Sequence, residues 1–399
     1  MVCLVLAGLS GTACSGDGSP NGVGGDSLES IYLVSSNLTT PGGNTGFVSL
    51  LTSLDPALEE LDLANAYEFP GSADAWVLDG RVFTSGGDAP TVTRHRVSEA
   101  GELVEETTLS FGNFGVASTA FWHNVFVSPT KAYMEFGGRQ LVIWNPTTME
   151  LGGTLDIPEV EDRQGLRPTF AFGDRGSVIA EGLLYQLVYW TDPSFARRDD
   201  GSRILVYDVE RDELVDSIEA PCPGLDVASR DPDTGLLYFS PWTSGAGAAL
   251  VLEDKATCVV ELDPNLGEIT RTFDFRQIAE GREGAVFRAL GNGRFVFSAF
   301  HADRVDLEAA IDEQDPFTIL AGENWRLWSY DMTTGIAVAI DGVAWNSGAA
   351  YWFVVDGEHV ALIPGADFSS STAYRLASDD TAEELFDYSG FALRLFRVR

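Results

Sequence analysis

Apolar and polar positions alternate with period two along most of the chain, in short runs broken by polar turns. Gln140 to Trp144 (QLVIW) and Arg203 to Tyr207 (RILVY) are such runs, and Glu268 to Phe273 (EITRTF) follows a turn in the same way. That period places successive side chains on opposite faces of a strand, so the chain reads as all-β. A helical stripe is nearly absent. Only Asp306 to Ile311 suggests one, and it falls inside a loop.

The turns recur. They are Leu54-Asp55-Pro56, Ser98 to Gly101, Asn145 to Thr148, Asp208 to Asp212, Asp263 to Gly267, Asp331 to Gly335 and Ser378 to Thr381. Asp, Asn, Pro and Gly at these places are hairpin chemistry, not catalytic or calcium-binding groups. The turns are spaced by roughly 43 to 68 residues, which suits a propeller blade of four strands with variable loops. Two further strands precede most turns, as Val125 to Ser128 and Ala132 to Phe136 do in the third unit. The first unit has only three, read as Ser30 to Val34, Phe47 to Leu54 and Leu58 to Leu63. The chain ends on an orphan, Phe391 to Val398 (FALRLFRV). If the orphan is the inner strand of the first blade, the ring closes and leaves no open edge. The expectation is one seven-bladed β-propeller over residues 28–399. A solenoid of the same repeats is the alternative, and it would strand the orphan. WD40 and sialidase signatures are missing.

Composition narrows the partners. The 399 residues carry 25 Lys+Arg against 60 Asp+Glu, a net charge of -35. No basic surface is left for nucleic acid or for docking on anionic lipid. Lys131 and Lys255 are the lysines, so nearly all cations are arginine.

The N-terminus reads as an address. Val2 to Leu9 is apolar but shorter than the ~20 residues a spanning helix needs. Gly11-Thr12-Ala13-Cys14 follows, and the segment resembles a bacterial lipoprotein signal with Cys14 as the lipidated residue. The absence of a basic start and the Gly at 11 depart from that pattern, and an ordinary cleaved signal is the alternative. Residues 1–14 are thus expected to be the signal and 15–27, rich in Gly and Ser, a tether. The expected location is the outer membrane or cell surface, lipid-anchored. Of the remaining cysteines, Cys222 and Cys258 form an even pair, which in an exported chain suggests one disulfide. Two buried thiols are the alternative.

Strands of a propeller alternate in direction, so connections between blades share a face with the loops joining second to third strands. The long insertions, Thr191 to Ser202, Pro241 to Thr257 and His301 to Asn324, fall on that face. Binding sites are commonly built on such loops. Trp122, His123, Arg139, Trp190, Trp242, His301 and Arg304 stand at or beside the same strand ends and are expected to line one concavity. Trp and Arg there suit a planar, aromatic or anionic ligand. Each also has a plainer reading: strand-end Trp as inter-blade packing, loop Arg as solvated or paired. The four histidines lack metal-ligand spacing, and no cofactor motif is present, so neither metal nor cofactor is expected. No residue is assigned a catalytic role.

After Trp122-His123, the string Phe126-Val127-Ser128-Pro129-Thr130-Lys131-Ala132-Tyr133-Met134, with the tethered N-terminus and seven units, resembles bacterial propeller lipoproteins of catecholate-siderophore (myxochelin-type) systems. The resemblance implies binding or uptake of a ferric siderophore beside an outer-membrane receptor. Two other classes stay open. One is a protein-interaction scaffold at the cell envelope. The other is a hydrolase or lyase drawing on carboxylates such as Asp74, Asp88, Asp226, Glu283 and Asp303.

Overall fold

A computed structural model describes residues 30–399, apart from 41–42, 55–59, 62, 73, 117–118, 120–122, 137–139, 172, 195–196, 253–255 and 321. The segments read as signal and tether, with Cys14, lie outside the described residues, as do Trp122 and Arg139. Seven small antiparallel sheets form a seven-bladed propeller. Blades two and three run Ala75–Leu78 to Leu103–Ser110 and Asn124–Ser128 to Glu150–Asp156. Blade four begins with a broken inner strand, Arg167–Ala171 and Ser177–Ala180, both paired to Leu183–Thr191. Blades five, six and seven open with Leu225–Arg230, Gly284–Gly291 and Tyr351–Val355.

Burial follows position within the blade. Leu183–Thr191, a second strand, is buried from Leu184 to Thr191 because both of its faces meet other side chains. Glu213–Ala220, an outer strand of the same blade, is exposed at every other residue or more. The core is therefore a set of seams between neighbouring blades. Trp76, Phe83, Phe126 and Trp144 fill the one between blades two and three, and Tyr238, Phe287, Phe295 and Phe297 the one between five and six.

Six of the seven turns join third to fourth strands as tight hairpins. In them Asn145, Asp208 and Asp331 each accept two backbone N–H groups through one side-chain oxygen. Several of the hairpins close on a left-handed residue. At Gly267 (φ 67°) and Gly335 (φ 73°) glycine takes that conformation freely, while Met149 and Asp212 adopt it with a side chain.

The first unit differs from its reading. Its outer strand is Tyr67–Pro70, and Leu58 to Leu63 is not that strand. Glu60–Leu61 instead crosses to blade seven and pairs, in parallel, with Asp387 and Tyr388. Phe391–Arg397 pairs antiparallel with Tyr32–Thr40, from Tyr32↔Arg397 to Asn37↔Phe391, as the inner strand of blade one. The ring is thus latched twice, inside by the last strand and outside by two residues of the first unit. Cys222 and Cys258 are joined by a disulfide, with a Cα–Cα distance of 5.8 Å.

The insertions contain helices. Thr243–Leu252 occupies the loop of blade five, and Leu307–Glu313 and Phe317–Leu320 that of blade six. The first lacks an amphipathic stripe because small apolar residues surround it, with Ala246, Ala248, Ala249 and Val251 all buried. Asp306 caps the second by accepting from the Ala309 N–H. Among the described residues, no helix is long and apolar enough to cross a membrane.

Candidate functional site

The break in blade four creates the site. After Ala171 the inner strand leaves the sheet, makes one helical turn at Gly173–Gly176 and returns at Ser177, whose hydroxyl donates to the Gly173 carbonyl at 2.7 Å. Gly176 is required for this fold-back, since a Cβ there would stand 2.4 Å from the Ala171 carbonyl carbon. The turn touches the inner strands of blades three and five, so it intrudes on the central channel. It carries Arg175 there.

Arg175 stands over the Trp242 ring, 4.8 Å from its centroid, and 3.8 Å from the Asp226 carboxylate. Asp226 is itself engaged, accepting the Trp242 backbone N–H at 2.5 Å. Burial opposes the charge of Arg175, but Asp226, Tyr351 and Tyr189 outweigh it and raise the pKa, so the guanidinium stays charged. Burial also pushes the Tyr351 phenol up despite the pull of Arg175 and Arg394, so its hydroxyl stays protonated.

From Trp242 a chain of rings runs around the mouth. Trp242 to Tyr351 is 5.2 Å between centroids, Tyr351 to Phe391 5.4 Å and Phe391 to Phe368 5.4 Å. Across from them Tyr189 packs under Arg198, at 4.5 Å, which donates to Ser244 at 3.2 Å. Arg175, the four rings, Tyr189 and Ser244, together with Phe170 and a rim of Asn37, Asn44, Thr169 and Thr243, line a cavity of about 670 Å³, and Arg198 stands behind Tyr189 outside that lining. That volume is within the range of small-ligand sites. Among the described lining residues Arg175 is the one charged side chain. In the channel wall, Arg394 and Asp74 form a second ion pair at 3.2 Å, with 4% and 0% of their side chains exposed.

Of the five described residues among the seven expected to share one concavity, His123, Trp190, His301 and Arg304 lie outside the cavity lining. Trp242 lines the cavity. Trp190 is buried under Arg163, 3.4 Å from its ring centroid, and donates its indole N–H to the Glu161 carbonyl. His123 precedes the inner strand of blade three, outside the lining, where burial pushes its imidazole down to about 4. His301 and Arg304 gather around Trp345 instead. The carboxylates weighed for catalysis are dispersed. Asp74 holds Arg394, Asp226 holds the Trp242 backbone and Glu283 binds Thr257 at 2.7 and 2.8 Å, while Asp303 is exposed. Among the described residues, no group of three or more His, Cys, Asp or Glu could hold a metal ion.

Arg175, Tyr189, Tyr351, Phe368 and Phe391 were not anticipated. The visible signal for Arg175 was Gly173-Asp174-Arg175-Gly176, a polar, glycine-flanked interruption of an inner strand.

Fold and cavity define a seven-bladed β-propeller with a ligand-sized pocket at its loop-rich mouth. No family model matches the chain, and no curated protein matches it. Among solved structures, a hypothetical selenium-binding protein from Sulfolobus tokodaii is similar at a TM-score of 0.58 and 9% identity, over 92% of this chain and 93% of that one. Kuenenia stuttgartiensis hydrazine synthase is similar at a TM-score of 0.45 and 11% identity, over 74% of this chain and 73% of that chain. The first likeness concerns the fold alone.

Proposed function

We propose that this protein binds an aromatic, anionic small molecule in the mouth of the propeller, as a lipid-anchored protein of the cell envelope. The observation that carries the reading is the ring series Trp242–Tyr351–Phe391–Phe368 beside a charged Arg175 in one cavity. Rings stack on rings, and Arg175, 3.8 Å from an Asp226 carboxylate that already accepts the Trp242 N–H, can receive an anionic group. The specific candidate is a ferric catecholate siderophore, delivered to an outer-membrane receptor. The motif resemblance supports it, and so does the aromatic and anionic character of catecholates. Among the described lining residues Arg175 is the single cation, so it is the group expected to meet the ligand's anionic oxygens.

The test is titration of residues 28–399, followed by tryptophan fluorescence, with two ligand sets: ferric catecholates and iron-free aromatic carboxylates. Saturable quenching by the first set alone supports the siderophore. Quenching by the second set alone keeps the pocket and rejects the siderophore. No quenching by either rejects both. A scaffold role is the second reading. The observation favouring it is the exposure of Ile311 (43%) and Phe317 (51%) on the helices of the blade-six loop.

A further inference from the structure

Away from the cavity, blade six and its neighbours assemble a second constellation that shares no lining residue with it. Trp345, in the connection to blade seven, is half-buried. Arg304 lies over its ring at 4.2 Å and Arg326 at 5.9 Å, and His301 meets its edge at 4.7 Å. Behind His301 lies Trp328, at 6.2 Å, with Arg282 over it at 5.0 Å. Three guanidiniums therefore converge on one imidazole in a chain of net charge -35.

Their partners are weakly held. Arg326 pairs with Asp341 and Arg282 with Glu280, both at exposed carboxylates (82% and 66%). Asp303, 81% exposed, lies 3.7 Å from the His301 ring. Among the described residues Arg304 has no carboxylate partner, and its Nε donates to the Glu323 carbonyl at 2.8 Å. Exposed pairs of this kind are screened by water and exchange readily for a better anion. Nε2 of His301 is buried without a hydrogen-bond partner.

We propose that Arg282, Arg304 and Arg326, around Trp345 and His301, form a separate binding site for a small soluble oxyanion of the phosphate class. Guanidinium forks match phosphate oxygens in pairs, and stacking on Trp345 holds the Arg304 and Arg326 planes in place. A membrane's phosphates do not fit, because the chain's net charge repels an extended anionic surface, while a small anion feels the local cations within a Debye length.

The site carries its own reporter. Burial first, then Arg282, Arg326 and Arg304, hold the His301 pKa down, against the upward pull of Asp303. A phosphate seated among the three arginines offsets their charge and moves the His301 titration upward.

The experiment titrates the full chain with inorganic pyrophosphate at low ionic strength, following the His301 ring resonances, which are assigned by their loss in His301→Asn. The expected result is saturable binding with a higher His301 midpoint, weakened at least about tenfold by Arg304→Gln and by Arg326→Gln. Arg304 is exposed, so its replacement leaves the fold intact, and Arg304→Lys restores part of the affinity. No saturable binding up to about 10 mM, an affinity in both Gln variants equal to the parent's, or an unmoved His301 midpoint overturns the site. Failure here leaves the mouth cavity untouched, since none of these residues lines it.

Discussion

On the turn face, six hairpins end in side-chain-capped turns, and the described residues offer there a cleft of about 320 Å³ between blades two and three, lined by Arg94, Glu106, Pro129 and Pro146. On the opposite face the same strands lead into helices, a broken inner strand and a cavity twice that size. The difference lies in where charge is used. Aspartates of the turn face are consumed by their own backbone, as Asp208 and Asp331 show. At the mouth Arg175 is held at 3.8 Å from a carboxylate already bonded elsewhere. A ring closed by latches and tied turns leaves one face rigid and the other able to carry chemistry.

The closure is the part whose loss costs most. Deleting residues 391–399 removes the inner strand of blade one and the Phe391 ring together. The shortened chain is expected to lose its cooperative melting transition. A truncated protein that melts like the parent breaks the account of closure.

Next comes the buried ion pair. Asp74→Ala leaves Arg394 charged in a channel wall where 4% of its side chain is exposed, a loss of about 3–5 kcal/mol. Double replacement by apolar residues of similar volume is expected to recover much of it. Denaturant titration of the single and double variants measures both.

The disulfide is expected to matter about as much or somewhat less. Cys222 and Cys258 are separated by 36 residues, and the chain-entropy relation gives about 3–4 kcal/mol for closing such a loop. Cys222→Ala with Cys258→Ala should lower the denaturant midpoint accordingly. Equal midpoints for parent and double variant reject that contribution.

The turn face supplies the smallest effect, and it is pH-dependent. Backbone N–H groups, from Arg211 and Thr334 foremost, hold Asp208 and Asp331 below the ordinary aspartate value. Their stabilisation is therefore present above that value and is lost as pH falls through the folded pKa, below about 4. Asp208→Asn with Asp331→Asn keeps the turn acceptor and removes the ionisation. The gap in melting temperature between parent and variant should shrink on acidification below that point. Relief of general repulsion acts on both proteins and cancels in the comparison.

The turn face was also the legible one. Period-two runs and Asp/Asn/Gly turns are local, so six hairpins could be read directly, and counting strands exposed Phe391 to Val398 as the closing element. The mouth depends on contacts distant in the chain. Glu60–Leu61 is too short to show a period, and Thr243–Leu252 has no polar face to mark it as helical. Trp190 and Trp242 both end second strands, yet one is buried among the arginines of its own blade and the other joins the mouth. That choice is made by Arg163 and by Tyr351, far from either tryptophan in sequence.

Binding of an aromatic anion by Arg175 and the mouth rings is the proposal on which the function rests. It is tested most directly by comparing Arg175→Gln with the parent in titrations against ferric catecholates and iron-free aromatic carboxylates at two salt concentrations. The expected result is affinity at least about tenfold weaker in the variant, with a flatter salt dependence for whichever ligand binds. Equal affinity and equal salt dependence in parent and variant would contradict it.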